Sequence, residues 1–194
     1  MADFNDILGT DNTFIQAVEL QSFQPTVKTQ SFSGRSQVRT FGGQLFSMKI
    51  TMPPLAEADL RKVYGFLVKQ KGGFSSFTIR PHNLEQVGGT QTISEGVSVG
   101  ASVGATAVTT TNPNRFVAGD VFKFGNHDKT YMVTECSGST LSFEPGLLTQ
   151  VTSSDVIHSK TNYYMTVRLD GDTFSYKQGN EGFGTIEFDV VEAV

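Results

Sequence analysis

Hydrophobic positions recur with a period of two over much of this chain, and with a helical period over one stretch. Residues 37–52 carry the clearest alternation. Gly42 and Gly43 divide them into two runs, QVRTF and QLFSMKITM. In the second run Phe46, Met48, Ile50 and Met52 alternate with Ser47, Lys49 and Thr51. A pleated strand sends successive side chains to opposite faces, so the first set predicts a buried face and the second a face toward solvent or a partner. Pro53 and Pro54 end the run, since neither can donate to a ladder. Over 55–70 the period changes. Leu60, Val63, Tyr64 and Leu67 fall on one face of a helix. Glu57 and Asp59 near its start, and Lys69 and Lys71 at its end, suit the helix dipole. Glu57 and Arg61 stand four apart and can pair. Gly72 and Gly73 supply the stop, and a strand carrying Phe74, Phe77 and Ile79 follows, closed by Pro81.

The texture shifts near residue 85. Residues 86–111 are mostly Gly, Ser, Thr, Val and Ala with a single charge, Glu95. A linker and a run of short strands both fit, and Val97, Val99, Val103 and Val108 favour strands. Three compact strands are then expected at 120–124, 130–135 and 140–143, with turns at 125–129 and 137–139. Strands so short and so close suggest a small barrel or sandwich. Longer strands return at 163–169 and 173–176, and Asp170-Gly171 between them reads as a hairpin turn. At 185–192, Ile186, Phe188 and Val190 alternate with Glu187, Asp189 and Val191, giving one apolar and one acidic face. The first 33 residues read as an extended arm plus one strand near Ile15 to Leu20, with Pro25 interrupting. The expected organisation is mainly β: a β-sandwich with one helix from 1–85 plus 159–194, and a small β-barrel module, 86–158, inserted within it. The N-terminal half alone has too few strands for a closed sheet.

Composition narrows the functional classes. Only 18% of residues are charged, below the roughly 25% of ordinary globular domains, so the surface is finished with Ser, Thr, Gly and Gln. Such a surface suits strands or a subunit covered by neighbours. A net charge of −4 argues against a protein that grips phosphates. One cysteine, Cys136, excludes an intrachain disulfide. No run of 18 apolar residues occurs, and the first residues lack the apolar stretch of a signal peptide. A soluble protein made in a cytoplasm is the expectation.

Candidate chemistry is sparse. His82, His127 and His158 have no partner ligand at metal spacing and read as exposed loop histidines. Asp170-Gly171-Asp172 lacks the further oxygen ligands of a calcium loop. Gly96, Gly100 and Gly104 repeat every four residues, but the run is short and carries Ser98 and Ser102, so turns between strands explain it better than a membrane contact. No phosphate-cradling glycine motif and no nucleophile elbow occur. Cys136 reads as a structural thiol at a strand end. Glu57 and Asp59 sit where a helix N-terminus stabilises their charged forms, the reverse of what a general acid needs. No catalytic, cofactor or metal residues are assigned, and the chain is expected not to be an enzyme.

The segment GRSQVRTFGGQLFSMKITMPPL, residues 34–55, resembles a pattern in the tail proteins of long-tailed bacteriophages. A basic, Gln-rich strand precedes a Gly-Gly-Gln turn, an alternating strand, Pro-Pro-Leu and a helix. AGDVFKFG with TYMVTE and LSFEPGL resembles the small barrel inserted in such proteins, and Gly-Phe-Gly before a strand ending in Glu-Ala fits too. The likeness is to the distal tail proteins. It implies a tail-tube-like β-domain forming a ring, expected to be a hexamer, in the virion at the tail tip. The ring joins the tail tube protein to the tip hub protein, adjoins the tape-measure protein, and lets DNA pass without specific binding. A large carbohydrate-binding addition, carried by larger members, is absent. In that setting Glu187 and Asp189 are candidates for a lumen lining that does not trap phosphate. Two alternatives remain: another tail subunit (tube or terminator), or a host-glycan-binding module using Phe122, Phe124, Tyr131 and Phe143. Those aromatics alternate as core residues do, and core packing is the expectation for them.

Overall fold

The computed structural model describes residues 2–8, 15–40, 42–81, 84, 94–179 and 182–194. In chain order the first part runs β1 (Ala2–Asp3), β2 (Ala17–Phe23), β3 (Thr26–Gln30), β4 (Ser36–Thr40), β5 (Leu45–Thr51), β6 (Leu55–Ala56), helix α1 (Glu57–Lys69) and β7 (Ser76–Ile79). The middle part is β8 (Ser94–Val99), β9 (Ala107–Thr110), β10 (Val121–Phe124), β11 (Thr130–Ser137), β12 (Thr140–Glu144) and β13 (Val156–His158). The chain closes with β14 (Met165–Leu169), β15 (Ser175–Gln178) and β16 (Phe183–Glu192). The protein is mainly β, with one α-helix among the described residues and a small closed barrel.

An eight-stranded sheet forms in the order β1-β7-β14-β16-β5-β2, with β15 and β6 also on β16. Alternation explains its buried face. Phe46, Met48 and Ile50 on β5, and Ile186, Phe188 and Val190 on β16, are all buried. Helix α1 lays Leu60, Val63 and Leu67 on that face. Its first residue has no side-chain cap, but the Glu57 N–H donates to the Gly182 carbonyl at 3.0 Å. It ends where Lys71 and Gly72 turn left-handed, at φ 56° and 63°. Leu55 and Ala56, placed by the helical period in the helix, instead form a short strand on β16. The barrel closes as β10-β11-β12-β9-β8-β13. Its interior holds Phe122, Phe124, Tyr131 and Phe143, each fully buried and in mutual ring contact. Gly100 is required there: a Cβ would lie 2.2 Å from the Val151 carbonyl oxygen, where Ala101 and Val151 bridge two segments.

Two expectations change, and one strand takes a place the alternation left open. The first residues are not an arm: β1 pairs parallel to β7, and Phe4 is buried among Phe66, Phe77 and Phe188. The strand expected before Gly42 forms, as β4, but outside the sheet of β5: among the described residues it pairs with β3 alone, as a separate two-stranded hairpin. Gly42 and Gly43, at φ 69° and 67°, swing the chain from that hairpin into β5. Nor does Asp170-Gly171 reverse the chain. β14 and β15 run in the same direction along the ten residues of β16, pairing Leu169 with Val190 and Ser175 with Glu187, and 170–174 loops out between them. A partner strand that long accepts both in line, so no hairpin is needed.

Candidate interaction surface

The β3–β4 hairpin is the most unusual exposed feature. All ten of its strand residues are exposed, including Val27 and Val38, and Phe32 at its turn is fully exposed. Among the described residues its strands pair only with each other. An isolated two-stranded hairpin is marginal in water, since neither face is covered. Its charge is one-signed: Lys28, Arg35 and Arg39 are cationic, and no acidic residue stands between Glu19 and Glu57. Phe23, at the foot of the arm, is exposed as well.

The uncovered face of the sheet is its second exposed feature. Glu187 and Asp189 point outward from β16, as the alternation predicts. Lys49, from the neighbouring β5, pairs with Glu187 at 3.2 Å. The hydrogen bond and charge of Glu187, with Asp189 and Glu19 nearby, hold the Lys49 ammonium above its ordinary pKa. Because 170–174 leaves the sheet, an indentation of about 320 Å³ opens beside β16, lined by Lys49, Asp170, Lys177, Glu187 and Asp189 among others.

Between sheet and barrel lies a buried polar junction. The same alternation that buries Ile186, Phe188 and Val190 carries Glu192 inward. Lys129, from the barrel turn before β11, donates through Nζ to Glu192 Oε2 and, at 2.6 Å, to the Gln44 carbonyl. Thr130 N–H donates to Glu192 Oε1 at 2.5 Å, and Phe46 N–H to Oε2 at 3.3 Å. The Lys129 ammonium also sits 5.5 Å from the Phe46 ring centroid. Thr130 Oγ1 and Tyr163 Oη share a hydrogen bond at 3.0 Å, and burial holds the Tyr163 phenol well above its usual pKa. Val121 and Met132 of the barrel wall join the sheet's hydrophobic core around this junction. Glu192 and Lys129 did not stand out in the sequence. The parity of β16 marks Glu192, but nothing near Lys129 marks its side chain as buried.

Histidines take roles other than exposed loops. His127 is half-buried, stacked on Phe124 at 5.7 Å. Asn126 Nδ2 donates to the Gln150 carbonyl, so Asn126 Oδ1 accepts from His127 Nδ1–H. His127 Nε2 then accepts from Tyr131 Oη at 2.6 Å, and Tyr131 Oη accepts from Leu148 N–H at 3.1 Å. Burial pushes the Tyr131 phenol up to about 12 and lowers His127. His158 lies on β13, half-buried, with Nδ1 accepting from Asn162 Nδ2 at 2.8 Å. His82 lies outside the described residues. Elsewhere, Glu57 pairs with Arg61 and Asp59 with Lys62 along the helix surface. Cys136 is half-buried on β11. Among the described residues no three or more His, Cys, Asp or Glu converge as metal ligands. Among the described residues no helix is long and apolar enough to cross a membrane. Burial of Phe122, Phe124, Tyr131 and Phe143 leaves none of these rings free to stack on a sugar. No protein-family model matches the chain, and no curated protein matches it.

Proposed function

We propose that the chain is a structural subunit of a bacteriophage tail tip, assembling into a homo-oligomeric ring that links the tail tube to the tip hub. The observation that carries this reading is the β3–β4 arm. Two strands with both faces exposed, three exposed apolar side chains and no further strand partner among the described residues call for a surface supplied from outside. An arm on one copy and its receiving surface on the next make a heterologous contact, which closes into a ring when the rotation between copies divides a full turn. The residue pattern at 34–55 supplies the tail setting, the expected six copies, the tube and hub partners, the neighbouring tape-measure protein and the virion location.

Mass photometry and negative-stain microscopy of the purified protein test the reading. The expected result is closed rings of six copies that join tube or hub proteins on mixing. Open filaments of the protein alone would move the assignment to a tube subunit. A strict monomer at high concentration, indifferent to tube and hub proteins, would overturn it.

A further inference from the structure

We propose that the indentation beside β16 is the seat for the arm of a second copy of this chain, an arm arginine entering among Asp170, Glu187 and Asp189. The inference rests on the ring reading and names the receiving surface. Charge is the first reason. Four acids, Glu19, Asp170, Glu187 and Asp189, stand on this part of the open face against three cations, Lys49, Lys177 and Arg168 opposite Val191. Lys49 already engages Glu187, which leaves acidic charge uncompensated. The arm brings Lys28, Arg35 and Arg39 and no acid. Shape is the second. The indentation exists because 170–174 leaves the sheet, and its volume of about 320 Å³ takes a guanidinium with its stem. A planar guanidinium suits two carboxylates approached together, since it offers parallel N–H donors where an ammonium offers a point charge. The surrounding trough continues past Gln21, Ser47 and Phe23, so Phe32 or Val38 of the arriving arm meets an apolar neighbour at its rim. Occupation in this way turns Glu187 and Asp189 toward a neighbouring subunit, in place of a lumen.

The full chain is tested by mass photometry at low and moderate salt. Arg35→Glu with Arg39→Glu, and separately Glu187→Lys with Asp189→Lys, should each raise the concentration for half-assembly about tenfold or more, as loss of a close charge pair at an interface does. Combining all four changes should restore assembly, because the signs are exchanged. Glu187→Gln with Asp189→Asn serves should the lysine pair misfold, and should weaken assembly in the same direction. A disulfide provides a second readout. In a Cys136→Ser background, Arg35→Cys with Thr173→Cys should give intermolecular ladders up to the ring size under mild oxidation. Native rings that ignore every charge change and give no ladder would overturn the inference while the ring reading stands. A native chain that never assembles overturns the ring reading itself, and this inference with it. Failure of the exchanged-charge variant to recover would also overturn the seat.

Discussion

Replacing Glu192 by Gln should destabilise the whole chain and loosen the barrel from the sheet. The carboxylate holds four groups at once: the Lys129 ammonium, the N–H groups of Thr130 and Phe46, and through Lys129 the Gln44 carbonyl. Its side chain is fully buried and that of Lys129 is 5% exposed. An amide has one oxygen and no charge, so Lys129 is left buried without a counter-charge. Removing one partner of a buried pair costs about 3–5 kcal/mol. For a chain of this size that lowers the melting temperature by roughly 6–20 °C, at about 2–4 °C per kcal/mol.

Differential scanning calorimetry and urea titration read the effect. Wild type should melt as one transition, because the junction and Val121 couple the two cores. Glu192→Gln should melt earlier and in two steps, since the barrel has its own core of Phe122, Phe124, Tyr131 and Phe143. Lys129→Met with Glu192→Leu provides the comparison. Removing both charges spares the uncompensated ion, but Thr130 and Phe46 N–H lose their acceptor, at about 1–3 kcal/mol each. The two orphaned N–H groups together cost about 2–6 kcal/mol, so the double variant should be destabilised about as much as Glu192→Gln and by less than the two single changes added. Glu135→Gln, an exposed carboxylate on β11 away from both the junction and the seat, should leave the melting temperature unchanged. A Glu192→Gln protein that melts with wild type, or a double variant as damaging as both single changes together, would refute the reasoning.

Three further outcomes are expected. Gly100→Ala should destabilise the barrel by about 2 kcal/mol or more, because the new methyl meets backbone that cannot yield; a melting curve unchanged from wild type would contradict it. Acid should weaken the fold as pH falls below about 6.5. Burial lowers His127 and His158, so the unfolded chain binds more protons below its own pKa of 6.5, and stability present above that value is lost as pH falls through the folded values. The charges facing His127 act in both directions, Asp128 and Asp155 raising it and Lys123 and Lys129 lowering it. His127→Gln should flatten part of this slope in pH-dependent urea titrations, and a slope unaltered by it would assign the effect elsewhere. Tyr131→Phe should cost about 1–3 kcal/mol, since Leu148 N–H and His127 Nε2 lose their common partner; equal stability by calorimetry would show that water replaces the hydroxyl.

Period-two signals carried most of the fold. Phe46, Met48 and Ile50, and Ile186, Phe188 and Val190, are buried where their alternation places them, and the barrel strands lie close to the positions expected from 120–143. What alternation does not state is which strand pairs with which. Strand β4 has the composition of a sheet strand, yet it pairs into a hairpin with both faces open. Asp170-Gly171 has the composition of a hairpin turn, yet the chain continues along β16 beyond it. Both outcomes share one cause. A turn dipeptide reports local backbone freedom, whereas the direction taken afterwards depends on a distant strand long enough to receive it.

The same limit explains the interaction surface. Each half of the proposed contact was visible separately: a basic run without acids at 20–56, and an acidic face on the last strand. The indentation was not visible, because it arises from a loop leaving the sheet between two strands that share a partner. The polar junction divides in a like manner. Glu192 continues the parity of Ile186, Phe188 and Val190, so a charged residue in a buried phase announces that a counter-charge must come from elsewhere. Its partner lies 63 residues away in sequence, in a turn of composition ordinary for a surface. Periodicity can thus pose the question that a buried charge raises, but only the register of sheet against barrel answers it.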